Sequence, residues 1–364
     1  MAKKIIVIGA GIIGASLAYH LAKTGAHVVV LESSSNSGGV ATANSWAWIN
    51  ASWGNSPDYV KLRMRSMEQW RALAGVHPDL VVNWCGGLLW DLPLNELQSY
   101  IAHQQQIGYA IRRVDGGEAL LIEPALTHAP SVAAYAECEG CIEPVAAARG
   151  FLNAARTMGA ELVLNSTVTG LIITGGRVAG VKTEASEIHA DEIVLAAGAA
   201  TMGLLAPLGI SLRMESPAGL LVHSKPTHKI LNGLVMAPEL HVRQTAEGRL
   251  VAGSDFGGTQ PGDDPAATAA VLFKKVQVFL NGAEHLEMDF FTLGFRPTPA
   301  DGMPAIGRPA GVDGLYVAVT HSGVTLAPII GLLGASEILN DERDPLLKPF
   351  HSDRLRFRHD ALAG

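Results

Sequence analysis

The sequence predicts an α/β fold: a parallel sheet flanked by helices, with a second, strand-rich layer inserted into it. Two observations predict it. A short Ile/Val-rich strand, a glycine-rich turn, a helix and a second strand follow one another between Lys3 and Glu32. The same character returns near the other end, as an apolar strand over Leu315–Val319 and a helix over Leu326–Leu339. The chain has 364 residues, enough for two domains with a large core. Hydrophobic residues make up 48%, charged residues 17%, and there are 40 glycines, which fits a compact, turn-rich α/β protein.

The N-terminal segment carries the strongest signal. Gly9, Gly11 and Gly14 stand at G-x-G-x-x-G spacing after the strand Lys4–Ile8, and the helix Ile12–Lys23 follows. Gly25 stands where a helix C-terminus favours a left-handed residue. The second strand, His27–Leu31, ends on Glu32. Gly9 permits the tight turn, Gly11 lets the backbone approach a pyrophosphate, and Gly14 lets helix and strand pack closely. The helix N-terminus faces phosphates, and Glu32 is placed to accept ribose hydroxyls and to repel a 2′-phosphate. These parts occur in the order a dinucleotide site requires. Spacing alone does not separate NAD from FAD, since both present the same ADP half.

The remaining elements follow in order. Ser33–Ser45 is a loop of small and polar residues, with Thr42 and Ser45 as candidate phosphate donors. Helices are expected over Asp58–Leu73 and Asn95–Ile107, with a short strand at Gly87–Trp90 between them. Glu143-Pro144 opens a helix running to Met158, with proline in the first turn. A β-meander is expected over Leu162–Val168, Leu171–Thr174 and Arg177–Thr183, then strands at Ile188–Ala190 and Glu192–Ala197. Strands at Gly219–His223, His241–Gln244 and Arg249–Ala252 precede a polar loop and a helix over Pro265–Leu280. The predicted division is therefore discontinuous: 1–80, 140–213 and 292–364 form the dinucleotide domain, and 81–139 with 214–291 the second domain.

Several classes are excluded. The net charge is −7 with no long basic run, which argues against nucleic acid and against an anionic membrane surface. The N-terminal apolar run is explained by the glycine pattern rather than a leader. Leu315–Leu339 contains His321, Ser322, Thr325 and Pro328 and reads as strand, loop and buried helix rather than a membrane span. A cytoplasmic protein is expected. Cys85, Cys138 and Cys141 are too few for a disulfide framework, and Cys138-Glu139-Gly140-Cys141 reads as two ordinary thiols around a turn. No metal site is expected.

The motifs together resemble the FAD-dependent D-amino acid oxidase superfamily, in particular its glycine oxidase and sarcosine oxidase branch. The likeness rests on the N-terminal fingerprint, Glu143-Pro144-Val145, Ala196-Ala197-Gly198, and His241-Val242-Arg243 before Gly248-Arg249-Leu250. Its strongest parts are Gly294-Phe295-Arg296-Pro297-Thr298-Pro299-Ala300-Asp301-Gly302-Met303-Pro304-Ala305-Ile306-Gly307 and His321-Ser322-Gly323-Val324-Thr325-Leu326-Ala327-Pro328. The resemblance implies a Rossmann-type FAD-binding domain and a second, strand-rich antiparallel α+β substrate domain. It also implies FAD as cofactor and hydride transfer from an amine-bearing carbon to the flavin, with hydrolysis of the imine. Members with covalent flavin use a cysteine ahead of the C-terminal block; no cysteine follows Cys141, so non-covalent FAD is expected.

Cofactor contacts are expected at Gly9, Gly11, Ile12, Ile13, Gly14, Glu32, Ser33, Thr42, Ala43 and Ser45. Further contacts are expected at Val168, Ala197, Gly198 and Arg296, and at His321, Ser322, Gly323, Val324 and Thr325. The loop from His321 opens a helix whose N–H groups can stabilise negative charge on a reduced flavin. For chemistry the candidates are Arg296, Arg243 and His321. Arg296 matches the position that grips a substrate carboxylate in glycine oxidase-like members; an Arg pairing a structural carboxylate is the plainer reading. Arg243 is the second guanidinium, with a strand Arg reaching solvent as its plainer reading. His241 reads first as a core residue. Trp46, Trp48 and Trp53 read as core packing, with walling of the site as the alternative. Glycine oxidases carry a further Arg just after the position of His321, absent here, which points away from glycine and toward a bulkier or N-substituted amine. Electrons go to O₂ or to an acceptor subunit or quinone. A homo-oligomer is the other expected partner state. Oxidation of a 2-hydroxy acid is the non-amine alternative and would need His321 or His241 as base.

Overall fold

The structure, a computed structural model, describes residues 2–52 and 55–352 and the backbone of 356–357; Trp53 lies outside the described residues. A six-stranded sheet runs in the order Ala305–Gly307, Leu315–Val319, Glu192–Leu195, Lys4–Ile8, His27–Leu31, Glu161–Val163. All neighbours are parallel except the first pair. Every residue of Leu315–Val319 and all but the first of Lys4–Ile8 are buried, because a parallel sheet is covered on both faces and needs unbroken apolar runs.

The helix Ile12–Lys23 packs against the helices Pro144–Thr157 and Gly323–Asn340. The last carries Pro328 in its interior, which removes the N–H that would bond the Val324 carbonyl. The indole N–H of Trp70 donates to that carbonyl at 3.0 Å, and Ser66 Oγ donates to the next one, Thr325, at 2.6 Å. Both donors come from the helix Pro57–Ala74, so the proline's lost bond becomes a docking contact between helices. Gly323–Asn340 is also the one helix among the described residues long and apolar enough to cross a membrane, and 67% of it is buried inside the protein.

A second sheet of eight strands runs Met288–Phe295, Ala218–Ser224, Leu250–Gly253, His241–Gln244, Leu234–Met236, Gly87–Leu89, Val132–Ala136, Arg112–Asp115. Its neighbours are antiparallel apart from Leu234–Met236 on Gly87–Leu89. The helix Pro265–Phe279 covers it through Ala269, Leu272, Phe273 and Val276, an i, i+3, i+4, i+7 stripe.

Three expectations need correction. Glu161–Val163 is the parallel edge of the first sheet, and the meander is Val168–Thr174, Arg177–Thr183 and Glu187–His189. The C-terminal helix begins at Gly323 rather than Leu326: the Leu326 N–H bonds the Ser322 carbonyl at 3.0 Å and so starts the helical ladder one turn earlier, against the weak helix propensity of Gly, Val and Thr. The strand Met288–Phe295 runs unbroken across the expected boundary at 291/292, because its pairing with Ala218–Ser224 continues to Phe295.

Candidate cofactor and substrate site

A cavity of about 850 Å³ lies where the C-terminal ends of Lys4–Ile8, His27–Leu31 and Leu315–Val319 meet Gly219, Leu221, Gly294 and Arg296 of the second layer. The turn after the first strand explains its floor. Gly9 has φ +102°, and a Cβ on Gly14 would fall 2.0 Å from the Gly9 carbonyl oxygen, so both positions require glycine. Gly11 is the N-cap of the first helix, with extended backbone and no capping side chain of its own. Thr42 Oγ1 accepts the Ile12 N–H at 3.1 Å and keeps its own proton to donate. Ser45 Oγ accepts from Ala47 N–H at 3.0 Å.

Glu32 is 6% exposed and lines the cavity. Its Oε2 accepts the Ala10 N–H at 2.8 Å, and its Oε1 accepts from Ser34 N–H and from the hydroxyls of Ser33 and Ser34. These bonds fix the carboxylate while leaving acceptor capacity on it.

The opposite part of the cavity is formed by the loop from His321 to Thr325. The Gly302 carbonyl can only accept, so His321 carries its proton on Nε2 and donates it at 3.0 Å. Its Nδ1 accepts from Ser322 Oγ at 2.9 Å, and that oxygen accepts in turn from Arg63 Nη1 at 2.8 Å. Burial, with Arg63 beside it, lowers the His321 pKa to about 4, so the ring is neutral at physiological pH and both nitrogens are engaged.

Arg296 lines the cavity half-buried, over the ring of Phe256 at 5.8 Å. Its Nε is buried and has no hydrogen-bond partner, and burial pushes its pKa down. Trp46 and Trp48 line the same cavity and are buried, 6.2 Å apart at 77°. Their ring nitrogens are tied down: Trp46 Nε1 donates to the Val251 carbonyl and Trp48 Nε1 to Glu139 Oε2 at 2.8 Å. Between them Ala47 adopts φ +60°, a conformation that costs an L-residue about 1–2 kcal/mol.

Of the expected contacts, Gly9, Gly11, Ile12, Ile13, Glu32, Ser33, Thr42, Ser45, Val168, Ala197, Gly198, Arg296 and all of His321–Thr325 line the cavity. Gly14, Ala43 and Arg243 do not. Gly14 lies under the turn it allows to close, and Ala43 is exposed at the end of a short helix, Val40–Ala43, that interrupts the expected loop. Arg243 is neither in the cavity nor in solvent. It is 3% exposed, donating from Nε to the Trp46 carbonyl at 2.6 Å and from Nη1 to Glu143 at 3.1 Å, so it braces the indole wall from behind. His241 is likewise outside, 1% exposed and bonded to Asp91 at 2.8 Å. None of the three cysteines lines the cavity. Cys138 points to the Ala110 carbonyl, while Cys141 sits beside Cys85, so the C-x-x-C spacing does not describe a pair.

Two buried residues escaped the sequence reading. Arg63 lines the cavity, and its signal is positional: with Tyr59, Val60, Ser66, Met67 and Trp70 it occupies the buried stripe of its helix. Glu139 lies behind Trp48 and is 1% exposed, holding Trp48, Ser52 and Tyr109. Burial raises its pKa from 4.5 to about 7. Between those values the folded protein holds a proton that the unfolded chain releases, so stability falls as pH rises through that window and is flat above it. Glu139→Gln is expected to remove that slope, since the Ser52 and Tyr109 hydroxyls can turn to accept. Thermal melts from pH 5 to pH 8 check this; a Tm difference between variant and wild type that stays constant with pH refutes it.

The residues fit FAD. A glycine turn at a helix N-terminus suits a pyrophosphate, the Thr42 hydroxyl beside it keeps a proton to donate, and an anchored carboxylate suits a ribose. A family model described as FAD dependent oxidoreductase matches residues 4–336. The chain is 28% identical to a glycine oxidase of Pseudomonas aeruginosa, over 96% of this chain and 98% of that protein. Among solved structures, glycine oxidase from Geobacillus kaustophilus superposes with TM-score 0.87 at 24% identity, covering 98% of this chain and 100% of the other. L-proline dehydrogenase from P. horikoshii gives 0.84 at 24%, covering 95% and 96%. At that identity the two structures establish the shared fold.

Proposed function

The chain belongs to the FAD-dependent oxidoreductase family, and on that premise we propose that it oxidises the carbon–nitrogen bond of a small amine that carries a carboxylate and an apolar substituent. The observation that carries this reading is Arg296, a half-buried arginine that lines the cavity together with Trp46, Trp48 and Phe256 and makes no ion pair among the described residues. A guanidinium fork grips a carboxylate in one orientation, and locked aromatic faces favour an apolar or N-alkyl group. The relatives named above carry glycine oxidase and proline dehydrogenase activities by name, which agrees with a carboxylate-bearing amine.

Bound FAD supplies the two-electron acceptor for the hydride of the amine-bearing carbon, and water then hydrolyses the imine. The protein's task is orientation and exclusion of water. Arg296 fixes the carboxylate, and the indoles fix the substituent and dry the site. A neutral amine needs no side-chain base, whereas a 2-hydroxy acid does. His321 has both nitrogens engaged and His241 lies outside the cavity, which favours the amine over the hydroxy acid.

The test is anaerobic reduction of purified holoprotein by a panel of glycine, sarcosine, proline, bulkier amino acids and 2-hydroxy acids, followed by air. Bleaching by an amine with rapid recolouring and peroxide supports an oxidase; bleaching that persists in air identifies a dehydrogenase lacking its acceptor. Bleaching by hydroxy acids alone overturns the reading. Because no cysteine lines the cavity, acid precipitation is expected to leave all FAD in the supernatant. Yellow colour retained by the precipitate would refute non-covalent binding.

A further inference from the structure

Arg63 is 5% exposed, lines the cavity and makes no ion pair among the described residues; the carboxyl that feels its charge, the buried Glu139, does so from beyond ion-pairing distance and is itself pushed toward its neutral form. A buried charge without a counter-ion is costly unless a ligand supplies one. Its hydrogen bonds show which ligand. Nε donates to the Asn50 carbonyl at 2.9 Å, Nη2 to Asn50 Oδ1 at 2.6 Å and Nη1 to Ser322 Oγ at 2.8 Å. Asn50 therefore occupies the edge that would grip a carboxylate in fork geometry, leaving the charge but not the fork. Arg296 is the complement: it lines the same cavity, and no hydrogen bond to a described residue occupies either edge of its guanidinium.

Arg63 reaches the cavity at the start of the 18-residue helix Gly323–Asn340. Ser322, the N-cap residue, makes no capping bond with its side chain; its hydroxyl is turned to His321 and Arg63 instead. The first N–H groups of that helix are left for a ligand. His321, neutral at physiological pH, adds no charge here. Arg63 and the helix end thus place positive potential together on a rigid scaffold, clamped by Asn50 against reorientation.

We propose that Arg63 is the fixed counter-charge for the negative charge that the flavin ring takes up on reduction, while Arg296 alone handles the substrate carboxylate. Arg63 is then a positioning residue for electron uptake, not a substrate ligand. The inference rests on FAD binding in this cavity and is independent of which amine is oxidised.

Sulfite tests it without substrate: its lone pair forms a bond to the oxidised flavin, giving a colourless, anionic adduct that reads the same charge stabilisation. In full-length holoprotein, Arg63→Gln is expected to weaken sulfite binding at least about tenfold. A tenfold shift in the two-electron reduction equilibrium likewise lowers the flavin potential by about 30 mV. Arg63→Lys, which keeps the charge, is expected to stay close to wild type on both readouts. Should Arg63→Gln emerge without flavin, Ser322→Asp neutralises Arg63 in place and is expected to weaken sulfite binding in the same way. A flavin-loaded Arg63→Gln with unchanged sulfite affinity and potential overturns the proposal. So does an unchanged Ser322→Asp, or a variant that loses only affinity for carboxylate ligands. Failure of the substrate panel would leave these sulfite results intact, so the two readings fail separately.

Discussion

Replacing Arg296 by alanine is expected to lower kcat/KM for the carboxylate-bearing amine by about a hundredfold to a thousandfold, roughly 3–4 kcal/mol, with FAD still bound. The magnitude follows from the surroundings of the substrate carboxylate. The cavity around Arg296 is walled by Trp46, Trp48 and Phe256, so a carboxylate entering it gives up water and depends on the guanidinium to replace it. Removing Arg296 leaves that carboxylate desolvated and unpaired, and most of the loss should fall on KM. Arg296→Lys retains charge but not the fork and is expected to fall between the two. Steady-state kinetics on both variants, with flavin content measured beside them, check the expectation. Equal kcat/KM for wild type and Arg296→Ala would remove this residue from substrate binding.

The second large effect is on the cofactor. Gly14→Ala is expected to yield protein with little or no FAD and a lowered Tm. Its Cβ would lie 2.0 Å from the Gly9 carbonyl oxygen, a backbone atom of the turn that approaches the pyrophosphate. Gly11→Ala separates the two consequences. Its Cβ would meet only Thr42 Oγ1, at 3.3 Å, so the apoprotein should keep its Tm while FAD affinity drops. Flavin absorbance per polypeptide and melting curves of both variants read this directly. Full flavin content in Gly14→Ala would contradict the packing account.

What could be read from the chain divides along a physical line. The first helix and its flanking strands are specified by local rules: glycine spacing, apolar period and a terminal acid. The structure accordingly places Gly9, Gly11, Glu32 and His321–Thr325 on one cavity. The signals that failed were tertiary. Glu161–Val163 has one half-buried residue between two exposed ones and shows nothing of its parallel partner, which lies over a hundred residues earlier in the chain. Arg243 reads as a surface strand residue until Trp46 and Glu143 are brought to it. Arg63 was hidden by residue type, because an arginine in a helix suggests solvent. Only its place on the stripe shared with Tyr59, Met67 and Trp70 marks it as buried. Cys141 finds its neighbour in Cys85 across a strand pairing rather than in Cys138 three residues away.

The site's two guanidinium groups carry different tasks because their hydrogen bonds differ. Arg63 is saturated along one edge by Asn50 and offers charge, while Arg296 lines the cavity with no hydrogen bond to a described residue across its guanidinium and offers a fork. The central claim, a carboxylate-bearing amine held at Arg296 against the indole wall, is tested most directly by matched ligands. Holoprotein would be titrated anaerobically with an amino acid that bleaches the flavin and with the same amine lacking its carboxylate. The account predicts bleaching by the acid at concentrations at least about a hundredfold lower than by its decarboxylated partner. Equal bleaching by the two would contradict it.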